Sequence, residues 1–267
     1  MMITRVFSKK NRSLLAELVR TDFKLRYQGS VLGYAWSLLR PLLLFLILYV
    51  VFVRFLKIGG DIPHFPVYLL LGIVLWNFFA EMTAQSLGSI VSRGDLVRKI
   101  RIPRWIIVLS SSISALINLF LNLLVVIVFL IVDHVDLLQT TLWLPLILLE
   151  IYLFALGLSL FLAAAFVKYR DVNYIWEVIL QAGFYLTPIL YPITLITSPA
   201  LQKLMLLNPM AQAIQDARYA SITHQTAISR QVLNGNLKYV PYLLVILVLL
   251  GGLRYFRRQS KFFAENI

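Results

Sequence analysis

Long apolar runs alternate with short, mostly basic segments along this chain. The run from Trp105 to Val132 contains no charged residue, and about 20 apolar residues are enough to cross a bilayer as a helix. The same criterion predicts six transmembrane helices, at residues 36–55, 66–87, 105–132, 142–167, 175–191 and 239–255. We therefore expect an all-α polytopic membrane protein whose residues 1–267 form a single transmembrane domain.

Two segments depart from this pattern of spanning helices. In residues 11–28, apolar residues recur at helical spacing while charged residues fill the other side, which predicts an amphipathic helix at the membrane interface. Residues 192–238 contain an apolar helical pattern that is broken at Asn208 and Pro209, and each half is too short to span. We expect re-entrant or external helices there, before the last span.

Composition and charge support this interpretation. Hydrophobic residues make up 60% of the chain and charged residues 14%, against roughly 45–50% and 25% in soluble domains. The net charge is +13, but the cations lie at the ends of apolar runs and not along one soluble face, so we expect no nucleic-acid partner.

The distribution of cations predicts the orientation. The N-terminal segment lacks the apolar region of a signal peptide, and an even number of spans places both termini on one side of the membrane. Most of the 25 Lys and Arg residues fall on that side, which the positive-inside rule identifies as cytoplasmic. The remaining cations fall on the other side: Arg54, Lys57, Lys203, Arg218, Arg230 and Lys238.

The sequence contains no pattern of an enzyme or a metal site. It has no cysteine, and His64, His134 and His224 lie far apart without ligand spacing. Neither paired catalytic carboxylates nor a Ser/His/Asp arrangement is present. The phosphate-binding pattern G-x-x-x-x-G-K-[ST] is also missing, so we do not expect this chain to hydrolyse ATP.

Polar residues in the predicted spans have two interpretations each. Carboxyl groups in or beside spans either have a function or accept hydrogen bonds from neighbouring helices; they are Glu81, Glu150 and Glu177. The third span carries a polar stripe at a spacing of four: Ser110, Ser114, Asn118 and Asn122. Such a stripe joins helices or lines a wet cavity, and we favour the first. The fourth span carries a small-residue face for close helix contact: Ala155, Ser159 and Ala163.

The segment SRGDLVRKIRIPRW, residues 92–105, is rich in cations and lies between two apolar runs. Asp95 is a helix-capping residue, and Pro103 is well placed to begin the third span. The pattern predicts a short cytoplasmic helix over residues 94–102 with both apolar and basic side chains. It is either a contact for a partner protein or a basic loop that only fixes topology.

Several stretches resemble a known family over nearly the whole chain. They are VRTDFKLRYQGSVLGYAWSLLRPLL (19–43), GDLVRKIRIPR (94–104), KYRDV (168–172), YLTPILYP (185–192) and LNPMAQAIQDAR (207–218). Together they resemble the permease subunits of type-two ABC exporters that move polysaccharides, the O-antigen and teichoic acid export permeases. The resemblance implies a multi-pass protein of the bacterial cytoplasmic (inner) membrane with both termini in the cytoplasm.

The resemblance also implies partners and residue roles. The chain is expected to form a homodimer bound to two copies of an ATP-binding subunit, which would bind ATP and Mg, so no cofactor is expected in this chain. The short helix after the second span would be the coupling helix that contacts the ATPase. By position, its residues are Asp95, Leu96, Val97, Arg98, Lys99, Ile100 and Arg101.

In such families the first and fifth spans line the pore. Aromatic residues there, which spacing alone assigns to the core, become candidates for a glycan track: Tyr34, Trp36, Phe45, Tyr49, Phe52, Phe184, Tyr185 and Tyr191.

The expected substrate is a lipid-linked polysaccharide whose anionic head group meets cytoplasmic cations. The candidates are Arg20, Lys24, Arg26 and Arg40. An equally favoured alternative is that these cations only fix topology and contact anionic membrane lipids. Two alternatives remain at this point: an ABC permease for drugs or simple lipids, and a membrane-embedded enzyme acting on lipid-linked sugars.

Overall fold

The computed structural model describes residues 9–27, 33, 35–57, 62–95, 103–136 and 139–263. These residues form ten α-helices: α1 Lys9–Tyr27, α2 Ala35–Tyr49, α3 Phe65–Ser92, α4 Trp105–Val132, α5 Leu144–Lys168, α6 Val172–Leu186, α7 Pro199–Leu206, α8 Pro209–Ser221, α9 Ser229–Val232 and α10 Val240–Gln259. A π-helical stretch, Val50–Phe55, continues α2. No strand occurs in the described part of the chain, so the all-α prediction is confirmed there.

Five helical segments are long and apolar enough to cross a membrane: Ala35–Phe55, Phe65–Ser92, Trp105–Val132, Gln139–Lys168 and Gly235–Phe262. They coincide with five of the six predicted spans. The predicted span 175–191 falls on α6, which has 15 residues and ends at Leu186. A helix of that length reaches about 22 Å, which is shorter than the roughly 30 Å hydrocarbon core. The span at 175–191, the fifth in chain order, therefore stays a prediction.

Helix α3 forms the centre of the bundle. It packs against α2, α4, α5, α6 and α8, and 78% of its apolar stretch is buried, against 6% for α2. Its sequence is hydrophobic on all sides, as expected for a helix surrounded by others. The helix begins beside Pro66, whose fixed φ suits the first turn. These five helices are thus positioned by their contacts with α3.

The short helix α6 is attached to α3 through tryptophans. The indole Nε1 of Trp176 donates a hydrogen bond of 3.1 Å to Thr83 Oγ1. Gly183 lies directly against the ring of Trp76, where a Cβ would come within 2.7 Å of the ring edge. The ring of Phe184 packs edge-on against the same tryptophan at 6.2 Å. These contacts fix α6 although it is short.

Helix α10 packs on α5 through two glycines. A Cβ on Gly157 would lie 2.7 Å from the backbone N and Cα of Leu249, and a Cβ on Gly252 would lie well under 3.0 Å from the carbonyl oxygen of Gly157. The two backbones approach this closely because neither glycine carries a side chain, which is the common way of joining membrane helices.

The predicted small-residue face of the fourth span is buried in α5. Ala155, Ser159 and Ala163 are all fully buried. Ser159 Oγ donates a hydrogen bond of 3.4 Å to the carbonyl oxygen of Met82 on α3. At Ser159, therefore, this face contacts α3, while Gly157 serves the contact with α10.

We expect Gly252→Ala to destabilise the protein, because the new Cβ would force the α5 and α10 backbones apart. Overpacking of this kind costs about 1–3 kcal/mol, which corresponds to a melting temperature lower by roughly 2–12 °C. The measurement is the temperature at which the detergent-purified protein loses its monodisperse peak. Gly251→Ala is the matched control, because a Cβ there meets no atom within 4 Å. Equal melting temperatures for the two variants would contradict the contact.

Candidate functional site

A cavity of about 810 Å³ lies between α2, α3 and α4, with Leu180 of α6 at its edge. Three helices contribute its polar side chains: Ser37, Arg40, Asn77, Glu81, Gln85, Asn118 and Asn122. Apolar residues form much of the remaining wall: Trp36, Pro41, Leu44, Ile47, Val74, Phe78, Ala80, Ala84 and Leu119. A volume of this size with a few convergent polar groups is typical of a ligand site.

The cavity lies near the middle of α3 and α4, two helices long enough to cross a membrane, and not at their ends. Because a helix rises 1.5 Å per residue, Asn118 is about 20 Å along α4 from its first residue, Trp105. The first turn of α2 reaches the same level, since Asn122 Nδ2 donates a hydrogen bond of 3.4 Å to the carbonyl oxygen of Ser37. Polar groups at this depth are costly unless they are hydrogen-bonded, and they mark functional sites by default.

Two amides hold the carboxyl group of Glu81. Its Oε1 accepts hydrogen bonds of 2.5 Å from Asn118 Nδ2 and of 2.9 Å from Gln85 Nε2. Asn118 is only 2% exposed, and its Oδ1 has no hydrogen-bond partner within the described residues. An unpaired buried oxygen of this kind costs about 1–3 kcal/mol. The side chains of this cluster therefore hold one another in place, while Asn118 Oδ1 remains an acceptor without a donor among the described residues.

The polar stripe on α4 divides between its two interpretations. Ser110 and Ser114 are buried and donate to carbonyl oxygens of their own helix, at 2.8 Å and 3.0 Å. Asn118 and Asn122 line the cavity. The expectation that the stripe only joins helices is thus incomplete, because its second half belongs to a cavity.

The aromatic candidates on the first span lie in different environments. Trp36 lines the cavity and is 46% exposed. Phe45 is buried and packs edge-on against Phe129 at 5.4 Å, while Tyr49 and Phe52 are half-buried. Tyr34 lies outside the described residues. The pore-lining role of these residues stays a prediction.

On α6 and in the turn that follows, the candidates also differ. Phe184 is half-buried against Trp76, whereas Tyr185 is 66% exposed. The hydroxyl of Tyr191 donates a hydrogen bond of 3.0 Å to the carbonyl oxygen of Tyr185. Of this group, Tyr185 offers the largest free aromatic surface.

Arg218 is a fully buried cation in the segment predicted to be external or re-entrant. Its guanidinium donates to the carbonyl oxygens of Tyr68, Pro188 and Ile189 at 3.0, 2.6 and 2.7 Å. It also lies 3.7 Å from the ring centre of Tyr68, and it occupies the space where a side chain on Gly72 would stand. Arg218 therefore joins α8, α3 and the turn after α6.

The sequence places Arg218 among the outer cations without assigning it a role. Burial lowers its pKa from the ordinary value, while Tyr68 acts in the opposite direction. Within the described residues no carboxylate forms an ion pair with it. Backbone carbonyl oxygens stabilise its charge in place of a carboxylate. Because every residue has a backbone carbonyl, the sequence gives no sign of these partners.

Two arginines flank the predicted coupling segment. Arg93 pairs with Asp22 of α1 and donates a hydrogen bond of 3.1 Å to Ser110 of α4. Arg104 donates to the carbonyl oxygen of Ser260 after α10 and lies 5.9 Å from the ring centre of Phe263.

The two ends of the segment are thus attached to different parts of the chain: the Arg93 end to α1 and α4, the Arg104 end to the C-terminal residues. Burial lowers the pKa of Arg93 from its ordinary value, but an arginine remains charged at physiological pH. The Arg93 guanidinium therefore stays positively charged in this contact at physiological pH.

The predicted coupling and head-group residues are only partly described. Asp95 is exposed and helical, while Leu96, Val97, Arg98, Lys99, Ile100 and Arg101 lie outside the described residues. Arg20 and Lys24 are exposed on α1, which coincides with the predicted interface helix. The side chain of Arg26 lies outside the described part. Arg40 is exposed at the cavity, about one turn after Trp36.

The other carboxyl candidates lie away from the cavity. Glu177 is exposed on α6, and Glu150 on α5 is half-buried with one oxygen, Oε1, that has no hydrogen-bond partner among the described residues. Within those residues no three His, Asp or Glu side chains are grouped as metal ligands would be.

Residues 13–221 match the family described as ABC-2 type transporter. The chain belongs to this family. The cavity, Arg218 and the Arg93 contact with Asp22 all lie within the matched region, so the geometry above is that of an ABC-2 membrane domain.

The curated relatives include three export permease proteins that carry the same name. An O-antigen export system permease protein RfbA from Myxococcus xanthus is 33% identical over 204 residues, covering 74% of this chain and 76% of the relative. Two proteins of the same name from Klebsiella pneumoniae are 29% and 28% identical, each covering 94% of both chains. The ABC-2 chain is therefore similar to the two Klebsiella pneumoniae permeases along nearly its whole length, and to the Myxococcus xanthus permease along 74% of it.

We expect Arg218→Met to loosen the turn after α6, because the buried carbonyl oxygens of Pro188 and Ile189 lose their donors. Each lost partner costs about 1–3 kcal/mol, so hydrogen exchange over residues 187–196 should accelerate roughly tenfold or more. Mass spectrometry of deuterium uptake in detergent measures this. Arg230→Met removes an exposed cation from the same segment and should leave the exchange unchanged; unchanged exchange in Arg218→Met would contradict the contact.

We expect Asp22→Asn to weaken the attachment of α1, because it leaves the half-buried Arg93 without its counter-ion. Hydrogen bonds to charged groups contribute about 1.5–3 kcal/mol, so limited proteolysis within α1 should be at least several-fold faster. Glu17→Gln removes an exposed carboxylate from the same helix and serves as control. Proteolysis of Asp22→Asn at the control rate would show that the ion pair does not hold α1.

Proposed function

We propose that this chain is the transmembrane permease of an ATP-driven exporter that moves a lipid-linked polysaccharide, of O-antigen, teichoic acid or capsule type, across the cytoplasmic membrane. The observation that carries this proposal is the similarity to curated O-antigen export system permease proteins over 94% of both chains. The polar cavity at membrane depth supports it, because a hydrophilic polymer needs polar groups along its route.

In this proposal the chain is a single domain with six spans, and α6 with the turn after it forms the fifth. The exposed side of α6 supports this placement, since it is lined with large apolar residues: Tyr174, Ile175, Val178, Ile179, Tyr185 and Leu186. Two copies of the chain form a homodimer, with two ATP-binding subunits on the cytoplasmic side. Both termini are cytoplasmic, as the distribution of Lys and Arg indicates.

The proposed path begins at the interface helix. An anionic head group meets Arg20, Lys24 and Arg26 on or near α1, where surface charge attracts it. Arg40 lies at the membrane-depth cavity and would take over the contact as the head group leaves the surface. Membrane lipids compete for the same cations, so these residues attract substrate without selecting its sugars.

The proposed coupling uses the segment from Asp95 to Arg101. The ATP-binding subunits supply hydrolysis, since this chain has no phosphate-binding loop. Movement of the segment is passed on through its two attached ends. Arg93 leads to α1 and α4, and Arg104 leads to the residues after α10. One push from the ATPase would thus act on the interface helix α1, on the third span and on the end of the last span together.

The test of this proposal is reconstitution with an ABC ATPase encoded beside the gene. We expect the two proteins to co-purify, and proteoliposomes to hydrolyse ATP and export polymer. Replacing Leu96, Val97 and Ile100 by serine should lower export at least tenfold while ATP hydrolysis persists, because the apolar contact with the ATPase is lost.

The matched control replaces two exposed leucines of α7, Leu201 and Leu204, by serine, and it should export normally. A chain that binds no ATPase would overturn the proposal. Export at the control level in the triple variant would remove the coupling role from this segment.

A further inference from the structure

The cavity between α2, α3 and α4 combines charges of both signs. Arg40 contributes a cation and Glu81 a carboxyl group, and Asn77, Gln85, Asn118 and Asn122 contribute amides. A lining that carries charges of both signs favours neither a cationic nor an anionic ligand. A neutral ligand that carries many hydroxyl groups is compatible with both charges, because each hydroxyl donates and accepts hydrogen bonds.

The hydrogen bonds of the Glu81 cluster point to the same ligand class. Glu81 Oε1 is held by Asn118 Nδ2 and Gln85 Nε2, so the carboxyl group is fixed before a ligand arrives. Asn118 is 2% exposed and its Oδ1 still lacks a donor within the described residues. What the cluster lacks is a donor, which is what a sugar hydroxyl supplies.

The walls of the cavity fit the rest of such a ligand. Trp36 keeps 46% of its surface exposed at the cavity, and an aromatic face there can cover the apolar face of a sugar ring. Leu44, Ile47 and Phe78 provide an apolar surface beside the polar cluster. The cavity volume of about 810 Å³ is that of a site for a drug-sized ligand.

We propose that Glu81, Gln85, Asn118 and Trp36 form a binding subsite for an uncharged sugar residue of the exported polymer. The inference rests on the proposed function and deepens it, since it assigns sugar contact to a cluster on α3 and α4 beside the first span. Asn118 Oδ1 accepts a hydrogen bond from a sugar hydroxyl, and Trp36 packs against the ring. Glu81, itself hydrogen-bonded to Gln85, holds the Asn118 amide in place. Arg40, at the same cavity, contacts the phosphate of the carrier lipid.

The experiment crosslinks radiolabelled lipid-linked polymer from the host to the complex of the chain with its ATPase. A photoreactive amino acid replaces Ala84, which is exposed at the cavity. A second complex carries it at Phe161, which is exposed outside the cavity. We expect the polymer to crosslink at position 84 at least fivefold more than at position 161.

Adding Glu81→Leu to the position-84 protein should reduce that crosslink and polymer export at least tenfold. Glu177→Gln, which removes an exposed carboxylate outside the cavity, should leave both unchanged. Co-purification with the ATPase and the melting temperature report whether Glu81→Leu remains folded. If it does not fold, Trp36→Leu, which changes an exposed side chain at the cavity, replaces it and is expected to reduce the crosslink as well.

The outcomes separate this inference from the proposed function. If wild-type complex exports polymer but position 84 crosslinks only phospholipid, the cavity is a lipid site and the subsite is overturned while the proposed function stands. Normal export and crosslinking in folded Glu81→Leu overturns the subsite as well. If the wild-type chain neither binds an ATPase nor exports polymer, the proposed function itself fails.

Discussion

The buried guanidinium of Arg218 is the constraint on which the turn after α6 and its contact with α3 depend. A buried cation is costly unless it is hydrogen-bonded, and here three of its N–H groups donate to the carbonyl oxygens of Tyr68, Pro188 and Ile189. Two of these carbonyls belong to the non-helical turn after α6. Irregular backbone is tolerated at membrane depth only where its polar groups are satisfied within the protein. Arg218 thus makes the early end of α6 possible, and it fixes that turn against α3 at Gly72.

The same central helix connects this contact with the cavity and with the Arg93 ion pair. From its N-terminal to its C-terminal end, α3 presents Gly72 to Arg218, Glu81 to the cavity, and then Arg93, directly after its last residue, to α1 and α4. Its 28 residues span about 42 Å. Because α3 packs against five other helices and most of its apolar stretch is buried, it does not move without displacing them. Under the proposed mechanism, a push at the Arg93 end is therefore felt at the cavity as well as at the turn after α6.

Sequence pattern predicted the spans well because hydropathy depends on local composition. The third span was placed at 105–132, which are the bounds of α4. The end of α6 at Leu186 was not predicted, although Pro188 is a local signal for it. What no local pattern indicates is that Arg218, 30 positions after Pro188, donates to the Pro188 carbonyl oxygen. The cavity was missed for a similar reason: Glu81 and Asn118 are each visible as polar residues in a span, but their 2.5 Å contact joins two helices. A contact between side chains of two helices leaves no pattern in a single sequence, whereas the length of an apolar run is read from the sequence directly.

The roles of the aromatic candidates on α2 also depend on contacts that the sequence does not show. An aromatic residue in a span is useful either to packing or to a ligand, and spacing alone does not separate the two. Phe45 packs against Phe129 inside the bundle, so its ring is already occupied. Trp36 lies at the first turn of α2, where the carbonyl oxygen of Ser37 accepts a hydrogen bond from Asn122, and it lines the cavity. Under the proposed subsite, a sugar track along the first span would start at Trp36, beside the amide of Asn118, whose Oδ1 lacks a hydrogen-bond partner among the described residues.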